Sequence, residues 1–373
     1  MNEDRANRYH RLKRRASVLG LIWSVVLLGV LLASGISASM RDAADALAVR
    51  VGSSRWEPAI AVLAYVALLS VINDLVSAPL SVYSGFLIER RYGLSNQKLR
   101  SWLLDQAKAF LVGLTLGAGG AELIYWSMWR SPDRWWLWAG GLFALLIIGL
   151  TNVAPVLLLP LFYPVKPIQR DALRTRLLAL ADRAGARVLG AYEWGLAAKT
   201  KKANAALTGI GATRRILVSD TMLDDYSDDE IEVVLAHEMA HHVHGDIWKG
   251  ILFESCLIVA GFYLAARLLR WLSPPMGLHG PDDVAGLPLL LLAAGAVSLV
   301  MMPAAHAISR TFERSADRFA LDLTRNPSAF VSAMRRLAAQ NLAEDDPSKI
   351  VQVLFYSHPP IRERIAAAEA FKI

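Results

Sequence analysis

Residues 237–241 read His-Glu-Met-Ala-His, a spacing that can hold a metal ion. Two histidines four residues apart on a helix lie on one face about one turn apart, so His237 and His241 can converge on one cation. Glu238 lies further around the helix, where its carboxylate reaches a metal-bound water rather than the metal. The pattern therefore predicts a catalytic zinc site, against the alternative of a polar helix at a membrane interface.

A catalytic zinc needs a third protein ligand and one open position. His244 lies on nearly the same face, but about 10 Å along the axis from His237, too far to share one ion. We expect His244 at the surface or beside the ligands, and His242 in solvent. Glu313 is the better ligand, because the two apolar stretches between it and His241 form a hairpin that returns the chain to the same side of the membrane.

Asp317 follows Glu313 by one helical turn on the same face. A carboxylate at this position can accept the free ring N–H of a ligating histidine and fix its tautomer. The alternative is an ordinary amphipathic helix whose acidic residues pair with Arg314 and Arg318.

The chain that must position these groups is unusually apolar. Of its 373 residues, 54% are hydrophobic and only 20% are charged, which is typical of a membrane-embedded protein and excludes a disordered one. The net charge of +7 comes from basic residues scattered between apolar runs, so we expect no nucleic-acid partner. Cys256 is the single cysteine, which excludes a disulfide within the chain and a cysteine-built metal site.

Six apolar stretches reach the roughly 20 residues that a bilayer requires. They are residues 16–38, 58–86, 102–126, 136–162, 248–269 and 287–306. Basic residues precede the first stretch and fill the loop after the second, which places the N-terminus, residues 163–247 and the C-terminus in the cytoplasm. The first stretch is longer than the apolar part of a signal peptide, but its cleavage stays open because Ile36-Ser37-Ala38 resembles a cleavage site.

Several predicted spans contain polar groups: Asn73, Asp74, Glu122, Glu254 and His306. Such groups at membrane depth usually face a bundle interior or a water-filled cavity. The alternative is that these groups form hydrogen bonds between helices, or that a span ends before the polar residue.

The segment 163–247 has the patterns of a small folded domain. Residues 168–185 predict an amphipathic helix that buries Leu173, Leu177, Leu180 and Ala181. The runs 204–210 and 214–219 predict a β-hairpin. A capping box at residues 227–230 predicts the start of the helix that carries the two histidines and ends near residue 244.

We therefore predict a mainly α fold: a polytopic membrane bundle that encloses a chamber, with a small α+β zinc metalloprotease domain on the cytoplasmic side. The predicted parts are a four-span N-terminal region (1–162), a cytoplasmic segment with the hairpin and the histidine helix (163–247), a two-span hairpin (248–309) and the C-terminal part of the protease domain (310–373).

Further segments resemble a known family, the integral-membrane zinc metalloproteases of the type I CAAX prenyl endopeptidase group. Residues 78–96 resemble its second-span signature, residues 152–162 the end of its fourth span, and residues 357–364 its C-terminal His-Pro block. The resemblance covers most of the chain. It implies one zinc ion per chain, with these roles: ligands His237, His241 and Glu313, general base Glu238, and Asp317 beside the ligands.

The resemblance also places His358 and Arg364 in the active site, where His358 could donate a hydrogen bond to the oxyanion of the tetrahedral intermediate. Asn204 and Ala205 resemble an Asn-Ala edge strand to which an extended substrate adds. Two features depart from the family pattern. The six predicted spans are one fewer than in eukaryotic members, and the two residues after Asn204-Ala205 are Ala206 and Leu207 rather than aromatic residues. These departures do not affect the predicted chemistry, but they leave open whether the substrate is prenylated.

The function expected is that of a zinc endopeptidase acting on a peptide or protein, whether unmodified, lipid-modified or membrane-inserted, within a lipid bilayer. We expect a bacterial inner membrane rather than the endoplasmic reticulum, with the active site facing the cytoplasm. One alternative is a heat-shock membrane metalloprotease for quality control. Another is a non-catalytic receptor or scaffold that keeps a vestigial zinc site.

Overall fold

Long helices dominate the computed structural model, which describes residues 2–52, 54–209 and 211–372. The α-helices are α1 (Asn2–Ala33), α2 (Ile36–Val51), α3 (Glu57–Ser81), α4 (Ile88–Arg91), α5 (Leu99–Arg130), α6 (Trp135–Leu157), α7 (Leu159–Phe162), α8 (Asp171–Arg183), α9 (Asp220–Asp225), α10 (Asp228–Val243), α11 (Asp246–Leu272), α12 (Leu287–Thr324), α13 (Pro327–Asn341), α14 (Lys349–Phe355) and α15 (Ile361–Glu369). The strands are β1 (Val165–Pro167), β2 (Ala191–Trp194), β3 (Ala205–Thr208) and β4 (Arg215–Ser219).

Within the described residues, six helical segments are long and apolar enough to cross a membrane, as the sequence predicts. They are Asp4–Ala33, Glu57–Arg91, Leu99–Arg130, Trp135–Leu157, Asp246–Leu272 and Val284–Thr324. The predicted end of the first span is wrong: Gly35 takes a left-handed conformation with φ of 77°, so α1 ends at Ala33 and α2 starts at Ile36.

The last span also differs from its prediction. The helix α12 is 38 residues long in total, about 57 Å, and runs without a break from the membrane-spanning part into the α+β unit. Glu313 therefore lies on the same helix as the last span, beyond the predicted end of that span at residue 306. One rigid element connects the membrane bundle to the predicted metal ligand.

The membrane bundle encloses a cavity of about 580 Å³ between α1, α3, α5, α6, α11 and α12. Asn73 and Glu254, two of the polar residues predicted to face such a space, line it. Glu122 lies elsewhere, with Oε1 buried and without a hydrogen-bond partner among the described residues. Asp74 is exposed on α3, and His306 Nδ1 lies 3.3 Å from the Val353 carbonyl oxygen.

A buried polar network closes the end of the bundle where α2 meets the start of α12. Arg41 is 8% exposed, and its guanidinium lies 2.6 Å from Asp283 Oδ2. Next to this ion pair, the Ser37 hydroxyl lies 2.6 Å from the Tyr65 hydroxyl and donates to the Ala285 carbonyl. Because these groups pair with one another, their interactions offset part of the cost of burying them.

The remaining elements form an α+β unit around one sheet with the strand order β1-β2-β4-β3. The strands β2 and β4 are parallel, and the other two pairs are antiparallel. The predicted hairpin forms from β3 and β4, although Ile210, the end of its first run, lies outside the described residues. The helix α8 buries Leu173, Leu177 and Leu180 completely, as its periodicity predicts.

Side-chain contacts attach the start of α1 to this unit. The Tyr9 hydroxyl donates to Glu89 Oε1 at 2.6 Å, and Lys202 Nζ lies 2.9 Å from Glu89 Oε2. Arg14 pairs with Glu344, which is 7% exposed. The start of α1, the helix α4 and the α+β unit therefore lie at the same end of the bundle.

Candidate metal centre

The helix α10 brings His237 and His241 together. Its first turn is closed by a capping box: the Ser227 hydroxyl accepts from the Glu230 N–H, and the Glu230 carboxylate accepts from the Ser227 N–H at 2.8 Å. The two imidazole rings meet edge to face, with 5.1 Å between their centroids. The sequence prediction of one shared face therefore holds in three dimensions.

The long helix α12 places Glu313 against both rings. Glu313 Oε2 lies 3.2 Å from His237 Nε2, and Oε1 lies 3.4 Å from His241 Nε2. One ligand atom from each of the three residues lies within 4.8 Å of the other two. His237 and Glu313 are each 5% exposed, so the three groups converge in a space from which most water is excluded.

Two further carboxylates hold the far sides of the histidine rings. Asp317 Oδ1 lies 2.8 Å from His237 Nδ1, and Asp246 Oδ2 lies 3.1 Å from His241 Nδ1. A carboxylate at Nδ1 accepts a hydrogen bond from the ring N–H there and leaves Nε2 with a free lone pair, the tautomer that a metal ligand needs. Both rings are therefore oriented with Nε2 toward Glu313.

Arg364, on α15, completes the layer behind His237. It donates from Nε to Asp317 Oδ2 at 2.8 Å and from Nη2 to Asp317 Oδ1 at 2.5 Å. Its side chain is only 10% exposed. This bidentate pair fixes the carboxylate that orients His237.

His358 reaches the centre from the segment before α15. Its Nδ1 lies 2.7 Å from Glu313 Oε2, while its side chain is 60% exposed. The ring therefore lies at the open mouth of the site, beside the predicted ligands. The structure brings together His237, Glu238, His241, Glu313, Asp317, His358 and Arg364 as the sequence analysis expects.

The residues present fit a divalent cation. Glu313 Oε2 is buried and accepts no hydrogen bond of good geometry, although two ring nitrogens lie near it. Burial opposes protonation of His237, but the neighbouring carboxylates of Asp317 and Glu313 outweigh it and raise the pKa of the ring to about 9. Such a negative potential favours a cation between the rings. Two imidazoles and one carboxylate, with a fourth side open, form the donor set of a catalytic zinc.

Glu238 follows the first histidine and is half-buried. Burial raises the pKa of its carboxyl, and the neighbouring histidine charges oppose that rise. A carboxylate with a raised pKa is a stronger base than one in water, so it is suited to take a proton from a nucleophilic water.

Two more histidines, His242 on α10 and His244 directly after it, lie outside the cluster of three candidate ligands among the described residues. The expectation that His242 is solvated is wrong: it is half-buried, and its Nε2 donates to the Leu207 carbonyl at 2.8 Å, which ties α10 to β3. Burial lowers the pKa of His242, which favours the neutral ring. His244 is half-buried, with Nδ1 3.3 Å from the Ser315 hydroxyl and its ring against Phe319.

The predicted substrate-binding residues lie at the start of β3, which is at the edge of the sheet. Asn204 precedes the strand and is exposed, and Ala205 begins it. The Ser219 N–H donates to the Asn204 carbonyl at 2.9 Å, and antiparallel pairing alternates from there. The backbone groups of Ala205 and Leu207 therefore point away from the sheet, where an added strand can bind.

Asp246 is the functional residue that the sequence analysis missed. It follows Gly245, which ends α10 in a left-handed conformation with φ of 69°. The sharp turn brings the first residue of α11 back to the ring of His241. An acidic residue directly after the glycine that ends a ligand helix is the signal that could have found it.

Fold and site together define an integral-membrane metallopeptidase. Residues 167–372 match the family model described as peptidase family M48. Residues 2–164 match that of the CAAX prenyl protease N-terminal region with five membrane helices. The chain therefore belongs to peptidase family M48. Among the described residues of 2–164, four helices are long enough to span. The helix α2, with 16 residues or about 24 Å, is shorter than the hydrocarbon core.

The relatives agree with this assignment over nearly the whole chain. The Bacillus subtilis protein YhfN, named as an uncharacterized metalloprotease, is 33% identical over 98% of this chain and 84% of its own length. CAAX prenyl protease 1 of Saccharomyces cerevisiae is 27% identical over 82% of this chain and 72% of its own length. The crystal structure of S. mikatae Ste24p shares the fold, with a TM-score of 0.84, 23% identity, and coverage of 98% of this chain and 88% of that chain.

Proposed function

We propose that the protein is a zinc endopeptidase that hydrolyses peptide bonds with Glu238 as general base. The observation that carries this proposal is the convergence of His237, His241 and Glu313 within 4.8 Å. Membership of a metallopeptidase family supports it. Zinc, when bound by these three residues, supplies Lewis acidity to the scissile carbonyl and to a water molecule.

The side chains around the ligands have distinct roles in this proposal. Glu238 takes the proton of the attacking water and passes it to the leaving amine, so that one water and one amide become a carboxylate and an amine. His358, at the mouth of the site, donates to the oxyanion that develops on the carbonyl. Asp317 and Asp246 orient the ligand rings, and Arg364 is a positioning residue because it contacts Asp317.

The substrate adds to the free edge of β3. An extended peptide beside Ala205 exchanges backbone hydrogen bonds with that residue, and Asn204 lies at the end of the same edge. Main-chain pairing of this kind selects for an unfolded segment rather than for a particular side chain. The substrate is thus a peptide or protein, and its lipid modification is not required by any of these contacts.

We also propose the site's cellular position. Six basic residues precede the first span, and the structure attaches this basic start of α1 to the α+β unit. By the positive-inside rule, both lie on the cytoplasmic side of the membrane. We propose that this membrane is a bacterial inner membrane. In this proposal, residues 1–162 and 248–309 are the membrane region, and residues 163–247 and 310–373 form the protease domain.

The test compares purified wild-type protein with the Glu238→Gln and His237→Ala variants. Glu238→Gln should retain one zinc per chain by elemental analysis and lose peptide hydrolysis by at least about 100-fold, because the amide cannot accept a proton. His237→Ala should lose the metal. Full hydrolysis by Glu238→Gln, or chelator-insensitive hydrolysis by the wild type, would refute the proposal.

A further inference from the structure

Two side chains occupy the edge of β3 on either side of Ala205. Asn341, at the end of α13, accepts from the Ala203 N–H at 3.0 Å and donates to the Ala203 carbonyl at 3.1 Å. Its amide thus replaces a neighbouring strand at that residue. His242 donates to the Leu207 carbonyl at 2.8 Å. Both ends of the strand edge are therefore already hydrogen-bonded by helices of the same chain.

The groups left between these two contacts are few. Antiparallel pairing with β4 uses the backbone of the even-numbered residues, and the odd-numbered residues face outward. Among the described residues, no hydrogen bond uses the N–H and C=O of Ala205 or the N–H of Leu207. We call these three groups the open edge. It runs for about 7 Å, which is the length that about three extended residues cover.

We propose that His242 and Asn341 limit strand addition to the open edge, so that the protein pairs with a segment of about three residues and discriminates against longer pairing. The proposal rests on the peptide hydrolysis proposed above. His242 is then a specificity-determining residue on the same helix as the zinc ligands. It shortens the pairing by one hydrogen bond, because the Leu207 carbonyl already has a donor.

An amide-to-ester scan of one cleaved peptide counts the pairing directly. An ester has no N–H, so each replacement removes one donor from the substrate backbone. A peptide cleaved by the zinc-loaded, detergent-purified protein is first found by mass spectrometry in a tryptic digest of a whole proteome. It is then synthesised with single esters at each position outside the scissile bond, and kcat/KM is measured for each.

The wild type should show one sensitive position, where the substrate N–H meets the Ala205 carbonyl. His242→Leu frees the Leu207 carbonyl, so a second sensitive position should appear two residues away. A net backbone hydrogen bond corresponds to a loss of about two- to tenfold in kcat/KM for that ester. His242→Gln keeps a donor, so it should restore the wild-type pattern.

His244→Leu is the matched control, because it makes the same substitution two residues away without touching β3; its scan should equal that of the wild type. Asn341→Leu tests the other end independently and should add a sensitive position on the opposite side. If all variants hydrolyse the peptide and share the same sensitive positions, the proposed limit on strand pairing is refuted, while the proposed hydrolytic function stands. No hydrolysis of any peptide by the wild type would overturn the proposed function and this inference with it.

Discussion

Replacing either of the two carboxylates behind the ligand histidines by an amide should weaken zinc binding, but the two replacements should differ in their effect on stability. Asp317→Asn and Asp246→Asn each remove the charge that orients one ring, at 2.8 and 3.1 Å from Nδ1. Loss of such an orienting group typically lowers metal affinity by about 10- to 100-fold, or about 1.4–2.7 kcal/mol. Both variants should therefore bind zinc more weakly by similar factors.

The free energies of unfolding of the two variants should differ, because the cationic side chain that loses its ion-pair partner is buried in one variant and exposed in the other. Arg364, the partner of Asp317, has a side chain that is 10% exposed, and an unpaired buried charge costs about 3–5 kcal/mol. Lys249, the partner of Asp246, is 54% exposed and can turn into water, so its loss costs at most about 1 kcal/mol. Asp317→Asn should be the less stable variant by at least about 2 kcal/mol.

The assay is made in two parts. Zinc affinity is measured by competition with a chelator, and thermal midpoints are compared at one scan rate in metal-free protein, since bound zinc would add its own stabilisation. Asp322→Asn, on the exposed face of α12 beside Arg318, is the control and should change neither quantity. Equal midpoints for the two variants would refute the burial argument, and unchanged zinc affinity in both would refute the orienting role.

Three other predictions concern separate parts of the molecule. His358→Ala should lower kcat by about 100-fold with zinc content unchanged, measured by steady-state kinetics; an unchanged kcat would remove it from oxyanion stabilisation. Burial raises the pKa of Glu230, but hydrogen bonds from Ser332 and Ser227 outweigh it and lower the pKa. Its stabilisation is thus full above the usual glutamate pKa and lost as pH falls through the lowered value. Glu230→Gln should lower the midpoint at pH 7 and flatten its fall in acid; parallel curves would contradict this. Arg41→Met should lower the midpoint by leaving Asp283 buried and unpaired, and Arg41→Lys should recover part of the loss.

Local patterns account for what could be predicted from the sequence. Apolar length identified the six spans, and the period of Leu173, Leu177 and Leu180 identified the buried face of α8. The spacing of His237 and His241 needs only one helix, so it was readable directly. The prediction of Glu313 required one further step. Two spans lie between it and His241, and an even number of crossings returns the chain to the same side of the membrane.

The features that could not be predicted from the sequence depend mainly on contacts between distant elements. The side chain of His242 was expected in solvent, because a helical position says nothing about a strand 35 residues earlier. Asn341 lies 138 residues from the strand edge that it occupies, and no local pattern connects the two. The break of the first span at Gly35 was missed because apolar residues continue beyond it while the backbone turns.

The central claim is that His237, His241 and Glu313 hold one zinc ion. Anomalous diffraction at the zinc edge from crystals of the purified, zinc-loaded protein tests it most directly. The account predicts a single peak per chain, about 2.0–2.1 Å from both Nε2 atoms and about 2.0–2.2 Å from a Glu313 carboxylate oxygen, with a fourth position open to solvent. A peak coordinated by His244 or Asp317, or one from which Glu313 is turned away, would contradict it.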